Sequence, residues 1–91
     1  MIVSTEGFRA IAELLVRVAA EVCEGRLILE HEGGYHPVAT PFSVLATIET
    51  LCGIDTGIED PFYPLIKDSP DQQLLAHQDE VIRRVQAEFD L

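Results

Sequence analysis

Tyr35 is the first residue of this chain to consider for chemistry, because of what precedes it. The run Arg26-Leu27-Ile28-Leu29-Glu30-His31-Glu32 ends in Gly33 and Gly34, and Tyr35 follows directly. The apolar run predicts a buried strand over residues 26–31. In open α/β sheets, ligands bind just beyond the carboxyl ends of the strands. A strand ending there would deliver the tyrosine hydroxyl to a defined place. The glycines lack a Cβ, so the backbone can turn sharply or approach a ligand closely. The plainer alternative is an ordinary turn at Gly33-Gly34, with Tyr35 capping the strand toward water.

A metal centre is the next chemistry to weigh. His31 and His36 bracket Glu32. Zinc wants three or four converging ligands. His31 lies before the double glycine and His36 after it, so convergence is not expected. His77 falls on a polar helix face. Asp55, Glu59 and Asp60 lack the alternating spacing of a calcium loop. No metal site is therefore assigned to this chain.

The elements that would position Tyr35 are legible from caps and periodicity. Ser4 is a good N-cap, with Glu6 in the first turn where an acid suits the helix dipole. Phe8, Ile11, Ala12, Leu15, Val18, Ala19 and Val22 follow at helical spacing, and Gly25 stops the helix. The pattern predicts a helix over 5–23. Leu27, Ile28 and Leu29 are continuous rather than alternating, which fits a strand covered on both faces, as in a parallel sheet. Thr40-Pro41 reads as a cap with proline at the first helical position. Phe42, Leu45, Ile48 and Leu51 or Cys52 carry that helix over 41–52, and Gly53 ends it. Residues 53–70, rich in proline, glycine and acids, read as an irregular loop. Ser69-Pro70 repeats the cap signal, and Leu74, Leu75, Gln78, Val81, Ile82, Val85 and Phe89 stripe a third helix. The order is helix, strand, helix, loop, helix. Met1-Ile2-Val3 is too short to count as a second strand. One strand cannot make a sheet, so the pattern implies strands that this chain does not supply.

Composition narrows the partners. The chain has 91 residues, enough for one small domain, with 47% apolar residues. That apolar share is high for so short a chain, and leaves surface for a partner. Sixteen acids against six bases give a net charge of −10. Phosphate backbones are bound by Lys and Arg, so nucleic acid is not an expected partner. Such a surface favours cationic partners, or serves simply to keep the chain in solution. Cys23 and Cys52 lie in helical patterns and read as reduced, buried small hydrophobes. There is no signal-peptide pattern and no apolar run near the ~20 residues needed to span a membrane. The expected location is the cytoplasm.

The segment Arg26-Leu27-Ile28-Leu29-Glu30-His31-Glu32-Gly33-Gly34-Tyr35 resembles one family when taken with its flanks. Those flanks are Ser4-Thr5-Glu6-Gly7-Phe8 at a helix start before it, and Pro41-Phe42 and Val44-Leu45-Ala46 after it. It looks like the C-terminal part of a zinc-dependent histone deacetylase or acetylpolyamine amidohydrolase, in the bacterial class II branch. The resemblance implies an α/β fragment of an arginase/deacetylase-type parallel-sheet fold, with residues 1–91 as one partial domain. It implies that Tyr35 is the catalytic tyrosine, donating a hydrogen bond to the oxyanion formed from a substrate amide. It also implies that Gly33 and Gly34 line the substrate tunnel by backbone. Substrates would be acetylated lysine or acetylated polyamine. Zinc would belong to the complete enzyme and not to this chain, since Asp-x-His and an adjacent His pair are absent from the sequence. The expected partner is then the missing N-terminal zinc-binding part of the same fold. Alternatively, the chain is a stand-alone interaction module or remnant that binds a partner through its strand edge. An unpaired strand edge also predicts self-association.

Overall fold

The computed structural model describes residues 3–90. Met1, Ile2 and Leu91 lie outside the described residues, and with them most of the short apolar run that opens the chain. Helix α1 spans Thr5–Cys23, α2 spans Ala39–Cys52, α3 is the single turn Tyr63–Ile66, and α4 spans Ala76–Glu88. A 3-10 turn occupies Pro70–Gln72.

The α/β parallel-sheet expectation is overturned. Among the described residues there is no strand, and the architecture is all-helical. Residues 26–36 have no regular secondary structure, and Ile28 is 94% exposed where the apolar run predicted burial. The physical reason is that a strand is defined by the ladder it shares with a neighbour. Local residues can favour an extended backbone, but they cannot supply that neighbour.

The helix boundaries follow local chemistry. Ser4 Oγ accepts from the Gly7 amide at 3.1 Å and opens α1. At the other end Glu24 takes the left-handed conformation (φ 57°) and the Gly25 amide donates to Ala19 O at 2.9 Å. That wrap closes the C-terminal end of the helix. Helix α2 closes on Gly53 at φ 64°. It begins at Ala39, two residues before the position that Thr40-Pro41 predicted. Pro41 still fits, because amides in a first helical turn have no intrahelical acceptor to lose. The third predicted helix splits: Ser69-Pro70 leads into the 3-10 turn, and α4 starts only at Ala76, where the Leu75 amide donates to Gln78 Oε1 at 2.9 Å.

Helices α1 and α2 pack against each other, and no other pair of described elements shares a comparable contact. Alanines make that contact: among the described residues, Ala12, Ala19 and Ala46 are the buried apolar ones. Small side chains let the two backbones approach closely. The large members of the α1 stripe, Phe8, Ile11, Leu15, Val18 and Val22, stay exposed, as do Val81, Ile82 and Val85 on α4. Cys23 is half-buried and Cys52 is exposed, so the second cysteine is not the buried residue its pattern suggested.

Because the α1/α2 contact is close and alanine-lined, a larger residue there should force the helices apart. Ala46→Leu is expected to destabilise the chain by about 1–3 kcal/mol. Urea unfolding followed by circular dichroism measures this, and an unchanged midpoint would show that the contact is looser than described.

Candidate functional site

The turn carrying Tyr35 is built by three neighbours. Gly33 and Gly34 both have left-handed backbones, at φ 83° and 79°. They differ in their surroundings. A Cβ at Gly33 would meet open space, whereas one at Gly34 would lie 2.8 Å from Thr40 Cγ2 and 3.0 Å from His31 Nε2. Gly34 therefore lets His31 and the start of α2 close around the backbone. His36 fixes the far side. Its Nδ1 accepts from the amides of Val38 at 3.3 Å and Ala39 at 3.0 Å, and its carbonyl accepts from Thr40 N at 3.2 Å. The imidazole thus does for α2 what Thr40 was expected to do. Accepting at Nδ1 leaves the ring's own N–H on Nε2.

Tyr35 projects from this turn and is 95% exposed. The turn does not form an enclosed site around it. His31, Glu32 and His36 do not converge as metal ligands. Among the described residues, no group of three or more His, Cys, Asp or Glu is arranged to hold a metal ion. The described residues therefore offer no ligand set for the zinc that the resemblance implies for a complete enzyme.

A second polar constellation lies elsewhere, and sequence reasoning missed it. Glu49 on α2 is only 2% exposed. Its Oε2 accepts from Arg9 Nη2 of α1 at 2.9 Å. Its Oε1 accepts from the Thr56 amide at 3.0 Å and from the Thr56 hydroxyl. One carboxylate so joins α1, α2 and the loop beyond α2. A parallel link follows: Thr5 Oγ1 donates to Asp60 Oδ2 at 2.6 Å, and Asp60 Oδ1 accepts from Phe62 N at 2.9 Å. Thr5, Arg9, Glu49 and Asp60 line a cleft of about 340 Å³ together with Phe42 and Tyr63. Residues 31–36 do not line it. The one sequence signal was Glu49 sitting at the 42, 45, 46, 49 spacing of the α2 face.

The hydrogen bonds tune both partners. The Thr56 hydroxyl and amide, then Arg9, hold the Glu49 carboxyl down to about 2 from its usual 4.5. The Glu49 carboxylate in turn raises Arg9 above its ordinary value. The sign for stability follows. A carboxyl with a depressed folded-state pKa stabilises the fold above its unfolded value, and that contribution is lost as pH falls through the folded one. The Glu49 contribution should therefore be complete above about pH 4.5 and disappear toward pH 2. Thermal melts of the wild type and Glu49→Gln at steps across that window check this. The stability gap between them should narrow as pH falls, and a constant gap would show that the charge of Glu49 is not what holds the loop.

Among the described residues, no helix is long and apolar enough to cross a membrane. No protein-family model matches the sequence. Over 88 residues, 96% of its length, the chain is 32% identical to a protein named histone deacetylase-like amidohydrolase from Pseudomonas aeruginosa strain PAO1. The matched stretch is 23% of that relative, so the chain spans about a quarter of the protein it matches. Along almost its whole length, then, this chain is similar to one segment of a protein named as a deacetylase-like amidohydrolase.

Proposed function

We propose that this chain is the tyrosine-bearing segment of an amidohydrolase that removes acetyl groups from lysine side chains or polyamines. The observation that carries the reading is the 32% identity to a deacetylase-like amidohydrolase across 96% of the chain. In this reading the Tyr35 hydroxyl donates a hydrogen bond to the oxygen on which charge develops as the amide is attacked. A donor aimed at developing charge stabilises the transition state more than the ground state. Gly33 and Gly34 offer backbone to the substrate without side chains in its way. The zinc and the general base belong to the remainder of the complete enzyme, which is also the principal partner.

A second reading, an interaction module without catalysis, is favoured by the amount of apolar side chain the helices leave exposed. The sequence encoded upstream in the same frame separates the two: a His-His pair and an Asp-x-His element support the enzyme, and an unrelated region supports the module.

Two outcomes are expected. The purified chain should show no turnover of an acetyl-lysine substrate and no stoichiometric zinc, and finding both would overturn the division of labour proposed here. In the complete enzyme, Tyr35→Phe should lower kcat by about 10²-fold or more with metal content unchanged, because one oxyanion donor is lost. A near-normal kcat would remove Tyr35 from the transition state.

A further inference from the structure

The N-terminus of α2 is capped by an imidazole, where Ser, Thr, Asp or Asn would be usual. Val38, at the formal start of the helix, supplies no side-chain cap. Its backbone is already helical (φ −103°, ψ −51°), and Thr40 N donates to His36 O at 3.2 Å, a helical hydrogen bond that reaches back past Ala39. His36 therefore holds the capping place. Pro37 takes the first position of the turn, where its fixed φ suits a helix and no N–H is needed. Proline also biases the residue before it toward the extended backbone that a cap adopts. The next two amides, of Val38 and Ala39, are those a cap serves, and His36 Nδ1 accepts from both, at 3.3 and 3.0 Å.

The usual caps do not change charge between pH 5 and 8, whereas histidine does. A neutral imidazole has one nitrogen free to accept; a protonated one donates from both and accepts at neither. The same proton would place positive charge at the positive end of the helix dipole. Both effects oppose the cap. The ring is exposed, so protons reach it. The other titratable groups of the segment are His31 and Glu32, and the first turn of α2 carries no acid. Among the described residues no ion pair involves His31, Glu32 or His36, so no carboxylate is paired with the ring to hold it once charged.

The cap is tied to the Tyr35 turn. Tyr35 directly precedes His36, and Thr40 Cγ2 lies 2.8 Å from where a Gly34 Cβ would sit. Thr40 is held there by its bond to the His36 carbonyl. Losing the first turn of α2 frees Thr40, and with it the wall against which the Gly34 backbone closes.

We propose that His36 is a proton-operated cap. Neutral, it fixes the start of α2 and the Tyr35 turn; protonated, it releases both. The device works through backbone hydrogen bonds and goes beyond the deacetylase reading, which can fail without touching it.

Nuclear magnetic resonance on the purified chain tests this. The nitrogen signals of the His36 ring report its tautomer and its protonation, and the Cα shifts of residues 37–40 report helix. The neutral ring is expected to carry its proton on Nε2. As the ring is protonated, the Cα shifts of residues 37–40 should move from helical to coil values, with the Tyr35 amide signal moving alongside. His36→Asn keeps a good cap without a titratable ring, so residues 37–40 should stay helical over the same pH range. His36→Ala has no acceptor, so they should be coil throughout. His31→Gln should leave the wild-type response intact. If His36→Ala unfolds the chain, the wild-type titration and His36→Asn still decide. The proposal is overturned if residues 37–40 stay helical while the His36 ring is protonated, or if His36→Asn keeps the pH response. It is equally overturned if a folded His36→Ala stays helical there, or if His31→Gln abolishes the response.

Discussion

The carboxylate of Glu49 is the constraint on which this architecture turns. It is buried, it is charged, and it is held by Arg9 from one helix and Thr56 from the following loop. A buried carboxylate is costly unless its hydrogen-bonding capacity is met. Here both oxygens are engaged, and no buried side-chain polar atom among the described residues lacks a partner. Conformational specificity follows from that demand. The register of α1 against α2 puts the Arg9 guanidinium at Glu49, and the path of the loop puts both Thr56 donors there. An alanine-lined contact could slide; the ion pair across it does not allow that freedom.

The rest of the molecule looks outward from this clamp. Among the described residues, three buried alanines make a small core. The large apolar side chains that would ordinarily fill a core lie on the open sides of α1 and α4. Such a distribution leaves apolar surface open to contact with other protein. The Tyr35 turn shares this character. Its backbone is ordered by Gly34, His31, Thr40 and His36, while its phenol reaches into open space.

The features legible in the sequence were those decided within a few residues. Ser4 and Gly25 bound α1, and Gly53 ends α2, because caps act across one turn of chain. The start of α2 was misjudged because its amides are capped by the His36 ring rather than by the hydroxyl of Thr40. The strand at residues 26–31 was misjudged because a continuous apolar run is consistent with a buried strand and says nothing of whether a neighbour exists. The Glu49 clamp was invisible because its meaning depends on Arg9, forty residues earlier, arriving at the same point. The alanine contact was hidden for a similar reason. Periodicity marked a whole apolar face of α1, and only the neighbouring helix decides which part of that face is covered.

Amide hydrogen exchange read residue by residue tests the central claim most directly, because it separates a clamped helical pair with an irregular Tyr35 segment from a sheet-based fold. The account predicts slow exchange in the middle of α1 and α2, protection of the Thr56 amide that Glu49 accepts, and rapid exchange across Leu27 to Leu29. Strong protection at Leu27 to Leu29 would mean that the segment sits in a ladder. Rapid exchange at Thr56 would mean that the clamp is not formed. Either result would contradict the architecture described here.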